Sequence, residues 1–156
     1  MKVSSYLKPE HCLLDLKSAN KEDAIKEIAI HFADKGIVKD KAAFTAEILK
    51  REKIGSTGIG CGVAIPHART NAVGEFVLGF GRSEKGIEFD SIDGTKVHLI
   101  FVIGTNLKEL NLYLRFLAEL SRLIMNENFR NALLRAQRPE EIVSIINKYE
   151  KIKPLN

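Results

Sequence analysis

A histidine that follows a glycine-rich stretch is the strongest chemical signal in this sequence. Segment 51–69 reads REKIGSTGIGCGVAIPHAR and combines four glycines, two hydroxyl side chains and two arginines with His67. Glycines allow backbone N–H groups to converge on a phosphate, while hydroxyls and guanidinium groups add donors and charge. A neutral imidazole has one ring nitrogen free to attack phosphorus, and a backbone carbonyl can hold the other. These residue types indicate phosphoryl chemistry centred on His67.

Spacing alone leaves a second interpretation of His67 open. The G-x-x-x-x-G-K-[ST] spacing of a nucleotide-binding loop is absent, and an isolated histidine commonly has a structural role. Pro66 has a locked φ and restricts Ile65 to an extended conformation. We therefore predict that His67 lies at a rigid turn after a short strand.

Composition restricts the kinds of protein to consider. The 156 residues are 45% hydrophobic, which predicts one domain over 1–156 with its own core. No apolar run is long enough for a membrane span or a signal peptide, so we expect a cytoplasmic protein without membrane insertion. The net charge of +4 is spread along the chain, and no arginine-rich arm or zinc-finger spacing predicts nucleic-acid binding. Cys12 and Cys61 lie far apart, so neither a disulfide nor a metal site is expected.

Hydrophobic periodicity predicts the elements that must position this segment. Strands are expected at 11–16, 63–65, 76–81 and 97–103, and loops at 55–62 and 86–94. Helices are expected to begin at the following positions: Asn20, Asp40, near Leu107, Asn126 or Asn128, and Pro139. The buried face of the helix near Leu107 is predicted as Leu110, Leu114, Leu117, Ser121 and Ile124. This order predicts an α/β fold, a three-layer α/β/α sandwich with a mixed β-sheet flanked by helices.

Segment 51–69 resembles the active-site signature of enzyme IIA of the phosphotransferase system, in the type-2 class that includes fructose, mannitol and nitrogen-regulatory proteins. The likeness continues through GIEFDSIDG at 86–94, VHLIFVI at 97–103 and PEEI at 139–142. It follows the order of that family over nearly the whole chain, to about residue 145.

The resemblance implies a role for each matching residue. His67 would be the phosphorylated nucleophile, and Arg51 would pair with the phosphoryl oxygens without a metal or cofactor. The residues expected to bind the phosphate are Ser56, Thr57, Gly58, Arg69 and Tyr113. Many relatives carry a second histidine where this chain has Tyr113, which donates a hydrogen bond without a positive charge. A packing role for Tyr113 is the alternative.

Three functions fit these features. A phosphoryl carrier would take phosphate from an HPr-like carrier protein and pass it to an enzyme IIB. A regulatory protein would use the same phosphorylation as a charge switch that selects target proteins, and the lack of a fused IIB, IIC or HPr domain in this sequence favours it slightly. A binding module on the same fold would transfer no phosphate. Docking would use an apolar rim of Ile54, Ile59, Val63 and Ala68, with core packing as the alternative for Val63.

Overall fold

The computed structural model describes residues 1–152 and contains a mixed six-stranded sheet between two groups of helices. The strands are β1 Cys12–Leu13, β2 Gly58–Gly60, β3 Val63–Ala64, β4 His67–Arg69, β5 Val77–Ile87 and β6 Val97–Thr105. The helices are α1 Lys21–Asp34, α2 Lys41–Ile54, α3 Leu110–Ile124, α4 Glu127–Arg135 and α5 Pro139–Glu150, and short 3₁₀ turns span Val3–Tyr6 and Pro9–His11.

The sheet is built around β6. Its strand order is β1-β5-β6-β3-β2, and β4 also pairs with β6. Strands β3 and β4 are both parallel to β6 and follow one another along the same edge of it. The register pairs Ala64 with Ile100 and then His67 with Ile103, with Pro66 between the two strands. Because β6 is held on its other edge by antiparallel β5, this pairing places His67 against the centre of the sheet.

Two hydrophobic cores lie on opposite faces of the sheet. Since successive side chains of a strand point to opposite faces, β6 supplies both cores. Phe101 and Ile103 pack with α3, α4 and α5, whereas Ile100 and Val102 pack with α1 and α2. The predicted α/β/α sandwich is therefore confirmed. Each helix within residues 1–152 falls short of the length and apolarity that crossing a membrane requires.

Side-chain capping contacts confirm three of the predicted helix starts, whereas α3 begins at Leu110 without such a contact. The Asn20 side chain accepts a hydrogen bond from the Asp23 N–H, and Asp40 accepts one from the Ala43 N–H. Of the two candidates before α4, Asn126 is the cap. Pro139 occupies the first turn of α5, where its missing N–H costs no helical bond.

The expectation that 55–62 contains no strand is wrong. Gly58–Gly60 forms β2, antiparallel to β3, with an irregular register between Gly58 and Gly60. Cys61 and Gly62 connect the strands with φ values of 57° and 75°, as at the two centres of a type I′ hairpin turn. The glycines thus shape a tight hairpin. Similarly, β5 extends to Ile87 and enters the predicted 86–94 loop.

The predicted buried face of α3 is also wrong for most of its residues. The helix buries Tyr113, Phe116, Leu120, Leu123 and Ile124. Leu110 and Leu114 are instead 42% and 53% exposed. An aromatic stripe and a leucine stripe run side by side on this helix, and the larger rings cover more apolar area when they face the sheet.

Candidate functional site

His67 is the first residue of β4, and its ring is oriented by the backbone immediately before it. Nδ1 lies 2.9 Å from the carbonyl oxygen of Ile65. Since a carbonyl oxygen only accepts hydrogen bonds, Nδ1 carries the proton and donates it. Nε2 therefore keeps its lone pair. The prediction of a turn at His67 is corrected in one respect, because the residue begins a strand paired to β6.

The surroundings of His67 favour its neutral form. Burial lowers the pKa of the imidazole below 6.5, and the positive charge of Arg51 lowers it further. The hydrogen bond to Ile65 and the Glu52 carboxylate raise this pKa but do not outweigh the lowering effects. At neutral pH, Nε2 is consequently available as a nucleophile.

An open cleft of about 260 Å³ lies beside His67. Its lining residues come from the end of α2, from β4 and from the first turn of α3, and they are Glu47, Lys50, Arg51, Ile54, His67, Ala68, Arg69 and Tyr113. The structure thus brings together four of the residues predicted from the sequence: His67, Arg51, Arg69 and Tyr113.

Both arginines in the cleft are held by backbone carbonyls. Arg51 Nη1 donates to the Gly55 oxygen at 2.8 Å, and Arg69 Nη2 donates to the Leu107 oxygen at 3.0 Å. Among the described residues, neither guanidinium forms a salt bridge with a carboxylate. Their charge is therefore not neutralised by an acidic side chain and is suited to an anionic ligand.

Tyr113 packs beside the imidazole. The ring centroids of Tyr113 and His67 are 5.6 Å apart, with the planes tilted by 46°. Burial raises the pKa of the Tyr113 phenol, although the charges of Arg51 and Arg69 act to lower it. The phenol is thus protonated at neutral pH and able to donate a hydrogen bond within the cleft.

The predicted phosphate loop lies outside the lining of this cleft, and its hydroxyl groups have protein partners. Ser56 Oγ donates to the Phe89 oxygen at 2.5 Å and accepts from the Gly58 N–H at 3.0 Å. Thr57 Oγ1 donates to Glu52. A phosphate contact by Ser56, Thr57 or Gly58 remains a prediction.

Sequence reasoning missed Glu47 and Lys50 in the cleft lining. Helical spacing could have identified both, because Glu47 lies four residues before Arg51 and Lys50 lies four residues before Ile54 along α2. The predicted apolar rim is corrected in part. Ile54 is 81% exposed at the cleft, whereas Val63 is fully buried in the core.

A neutral imidazole that shares a cleft with two guanidinium groups, on a three-layer α/β/α sandwich, is the arrangement expected of a phosphoryl-accepting class of proteins. Residues 5–149 match the family described as "Phosphoenolpyruvate-dependent sugar phosphotransferase system, EIIA 2". The chain belongs to this family, so the resemblance inferred from the sequence is confirmed. It is therefore a phosphotransferase component of the EIIA type, a family that comprises phosphoryl carriers and regulatory proteins.

Three similar proteins show the range of the family. The chain is 38% identical, over 97% of its length, to a fructose-specific EIIABC component from Bacillus subtilis, of which it spans only 24%. It is 36% identical to a fructose-specific EIIA component from Haloferax volcanii, covering 85% of this chain and 90% of that protein. The crystal structure of nitrogen regulatory protein IIA-Ntr from Neisseria meningitidis superposes with a TM-score of 0.86 at 28% identity, covering 92% of this chain and 98% of that one.

Proposed function

We propose that this chain accepts a phosphoryl group on Nε2 of His67 and passes it to a second protein. The observation that carries the proposal is the 2.9 Å hydrogen bond from Nδ1 to Ile65, which leaves Nε2 as the nucleophilic nitrogen. Arg51 and Arg69 line the same cleft and would pair with the phosphoryl oxygens.

The transfer step needs no change in the number of bound protons. The Nε2 lone pair of His67 forms a new N–P bond with the phosphorus of a donor phosphohistidine. The donor's N–P bond breaks, and its electron pair returns to the donor nitrogen. The Nδ1 proton stays on His67 and is stabilised by Ile65 when the ring becomes positively polarised.

We propose that the donor is an HPr-like carrier protein and that transfer takes place in the cytoplasm. A protein donor must bring its own histidine to the cleft, which requires an open, apolar rim. Ile54 supplies such a surface at 81% exposure. Leu107, just before α3, and Leu114, in the second turn of α3, are each 53% exposed. Apolar side chains at a rim lower the free energy of docking when a partner covers them.

The acceptor we propose is an enzyme IIB domain, since the two fructose-specific relatives are 38% and 36% identical to this chain. A regulatory output is the second candidate, favoured by the 0.86 TM-score with the nitrogen regulatory protein. In that case, two added negative charges at the cleft would change which target protein binds.

The test of phosphoryl acceptance is incubation with phosphoenolpyruvate, enzyme I and HPr, followed by intact mass measurement at mildly alkaline pH. We expect a gain of about 80 Da, one phosphoryl group, in the wild type and none in His67→Ala. His98→Ala is the matched control, because His98 Nδ1 also contacts a backbone carbonyl, that of Ser83, at 2.9 Å. A folded wild-type protein that gains no mass would contradict the proposal and favour a binding module.

Addition of a purified IIB domain to the phosphorylated protein separates the two outputs. Loss of the added mass from this chain, with an equal gain on IIB, supports the carrier. Retention of the phosphoryl group with every IIB tested, together with phosphorylation-dependent capture of a regulatory protein, supports the switch.

A further inference from the structure

Glu52 is a buried carboxylate that no step of the transfer uses. It follows Arg51 on α2, but its side chain is only 3% exposed and it is absent from the cleft lining. A buried carboxylate is stable only when charged and hydrogen-bonding partners replace its water. The identity of those partners indicates what Glu52 does.

Three groups from two other segments satisfy Glu52. The ammonium of Lys21, at the start of α1, lies 3.1 Å from Oε2. The Thr57 N–H donates to the same oxygen at 3.2 Å, and the Thr57 hydroxyl donates to Oε1. Lys21 is itself mostly buried, at 19% exposure, and lies 5.1 Å from the centre of the Phe89 ring. Glu52 therefore joins α1, α2 and the loop after α2.

From Thr57, a continuous path of hydrogen bonds leads to the imidazole. The Thr57 carbonyl accepts a hydrogen bond from the Ile65 N–H at 3.0 Å. On the other side of the same residue, the Ile65 carbonyl accepts from His67 Nδ1 at 2.9 Å. The orientation of the carbonyl that selects the His67 tautomer thus depends on Thr57, and Thr57 is held by Glu52.

We propose that Glu52, paired with Lys21, is a positioning residue for His67: through Thr57 it holds the Ile65 carbonyl that keeps Nδ1 protonated and Nε2 free. The consequence for transfer rests on the proposed function, whereas the consequence for the tautomer does not. Consecutive residues of α2 would then act on opposite sides of the reaction, with Arg51 on the phosphoryl group and Glu52 on the nucleophile.

The direct test is the tautomer of His67, read from the ¹⁵N shifts of its ring nitrogens at a pH where the ring is neutral. The wild type should show mainly the Nδ1–H form. In Glu52→Ala, the Thr57 N–H and the Thr57 hydroxyl both lose their hydrogen bonds to the Glu52 side chain. We then expect a mixture of tautomers that contains the Nε2–H form, which an unconstrained histidine prefers. Glu52→Gln keeps an acceptor oxygen for Thr57 and should restore most of the Nδ1–H form.

The rate of phosphoryl transfer supplies a second readout. A misplaced nucleophile slows the chemical step by about 10- to 100-fold. We expect Glu52→Ala to lower kcat for transfer from phosphorylated HPr in this range, with KM for phosphorylated HPr within about twofold of the wild type, because the exposed rim is unchanged. Glu52→Gln should recover most of kcat.

Glu27→Ala is a matched control for loss of a structural carboxylate. Glu27 also accepts hydrogen bonds from backbone N–H groups, those of Lys17 and Ser18, and from the Ser18 hydroxyl at 2.6 Å. It lies outside the cleft lining. We expect this variant to lose stability while retaining the wild-type His67 tautomer and kcat.

An unchanged His67 tautomer in folded Glu52→Ala would overturn the positioning role. If that variant does not fold, Thr57→Val decides, because it removes only the hydroxyl bonded to Glu52. A wild-type tautomer and kcat in Thr57→Val would then overturn the proposal. A wild-type protein that accepts no phosphate would contradict the proposed function alone, since the tautomer is measured without phosphate.

Discussion

Replacing Arg51 by Met tests the electrostatic account of the cleft most directly. The substitution keeps an unbranched, apolar side chain on α2 and removes the positive charge and the N–H donors. Arg51 uses Nη1 to bind the Gly55 carbonyl at 2.8 Å, which leaves its other donors for a ligand. It also lines the cleft beside His67, where a phosphohistidine would carry about two negative charges.

The expected loss follows from the role of a single donor group in stabilising charge. The transition state spreads negative charge over the phosphoryl oxygens. Removing one preorganised donor that stabilises this charge raises the activation free energy by about 2.7–4 kcal/mol, which slows the reaction about 100- to 1000-fold. Arg69 remains in the cleft, held by Leu107, and it supplies the residual stabilisation. We therefore expect slow but measurable phosphorylation of Arg51→Met.

The same substitution shifts two pKa values in a known direction. The charge of Arg51 lowers the pKa of His67 and that of Tyr113, so its removal raises both. Burial, the largest cause of the lowered pKa of His67, is unaffected by the substitution. An NMR titration of the ring resonances measures the first shift, and quench-flow with phosphorylated HPr measures the rate.

Lys53→Met is the matched control. Lys53 is an exposed cation in the same last turn of α2 and lies outside the cleft lining. It should leave the rate and the pKa of His67 near their wild-type values. A wild-type rate in Arg51→Met, with an unchanged His67 titration, would refute the reasoning that Arg51 acts on the phosphoryl group and on the imidazole.

Three further predictions concern the phenol, the sheet and pH. Tyr113→Phe should slow transfer about tenfold in the quench-flow assay, because the transition state would lose the free energy of one neutral hydrogen bond. Gly79→Ala should lower the free energy of unfolding in urea by about 3 kcal/mol, because the added Cβ would lie 1.6 Å from Cζ of buried Phe32. Stability should fall as pH drops below about 6.5 towards the lower pKa values of folded His67 and His11, since the unfolded chain binds more protons there.

Each of these has a simple contrary result. An unchanged rate in Tyr113→Phe would leave only a packing role for that ring. Gly74→Ala is the control for Gly79, since its added Cβ meets nothing within 4 Å, and equal stability of the two variants would contradict the overpacking argument. If the double variant His11→Asn/His67→Asn keeps the full pH dependence between 6.5 and 5, other groups are responsible for it.

Local signals in the sequence were sufficient for most of the fold. The caps at Asn20 and Asp40 and Pro139 in the first turn of α5 act between near neighbours, so they can be read from the chain. The nearly continuous apolar run of β6, typical of a strand buried on both faces, can be read in the same way. The buried face of α3 could not be read from the sequence, because a leucine stripe and an aromatic stripe lie on the same helix. Only packing against the sheet selected Tyr113 and Phe116.

In the candidate site, too, some features could be read from the sequence and others depended on tertiary packing. The sequence by itself determined the chemistry, because the order of residues in 51–69 places glycines, arginines and a histidine within a span that matches one family. Tertiary structure decided which of them meet. Tyr113 is far along the chain from His67, but the centroids of their rings are 5.6 Å apart. The hydroxyls of Ser56 and Thr57 instead donate hydrogen bonds to Phe89 and Glu52. Such contacts depend on how α2, β4 and α3 pack around the sheet, and no local spacing encodes that arrangement.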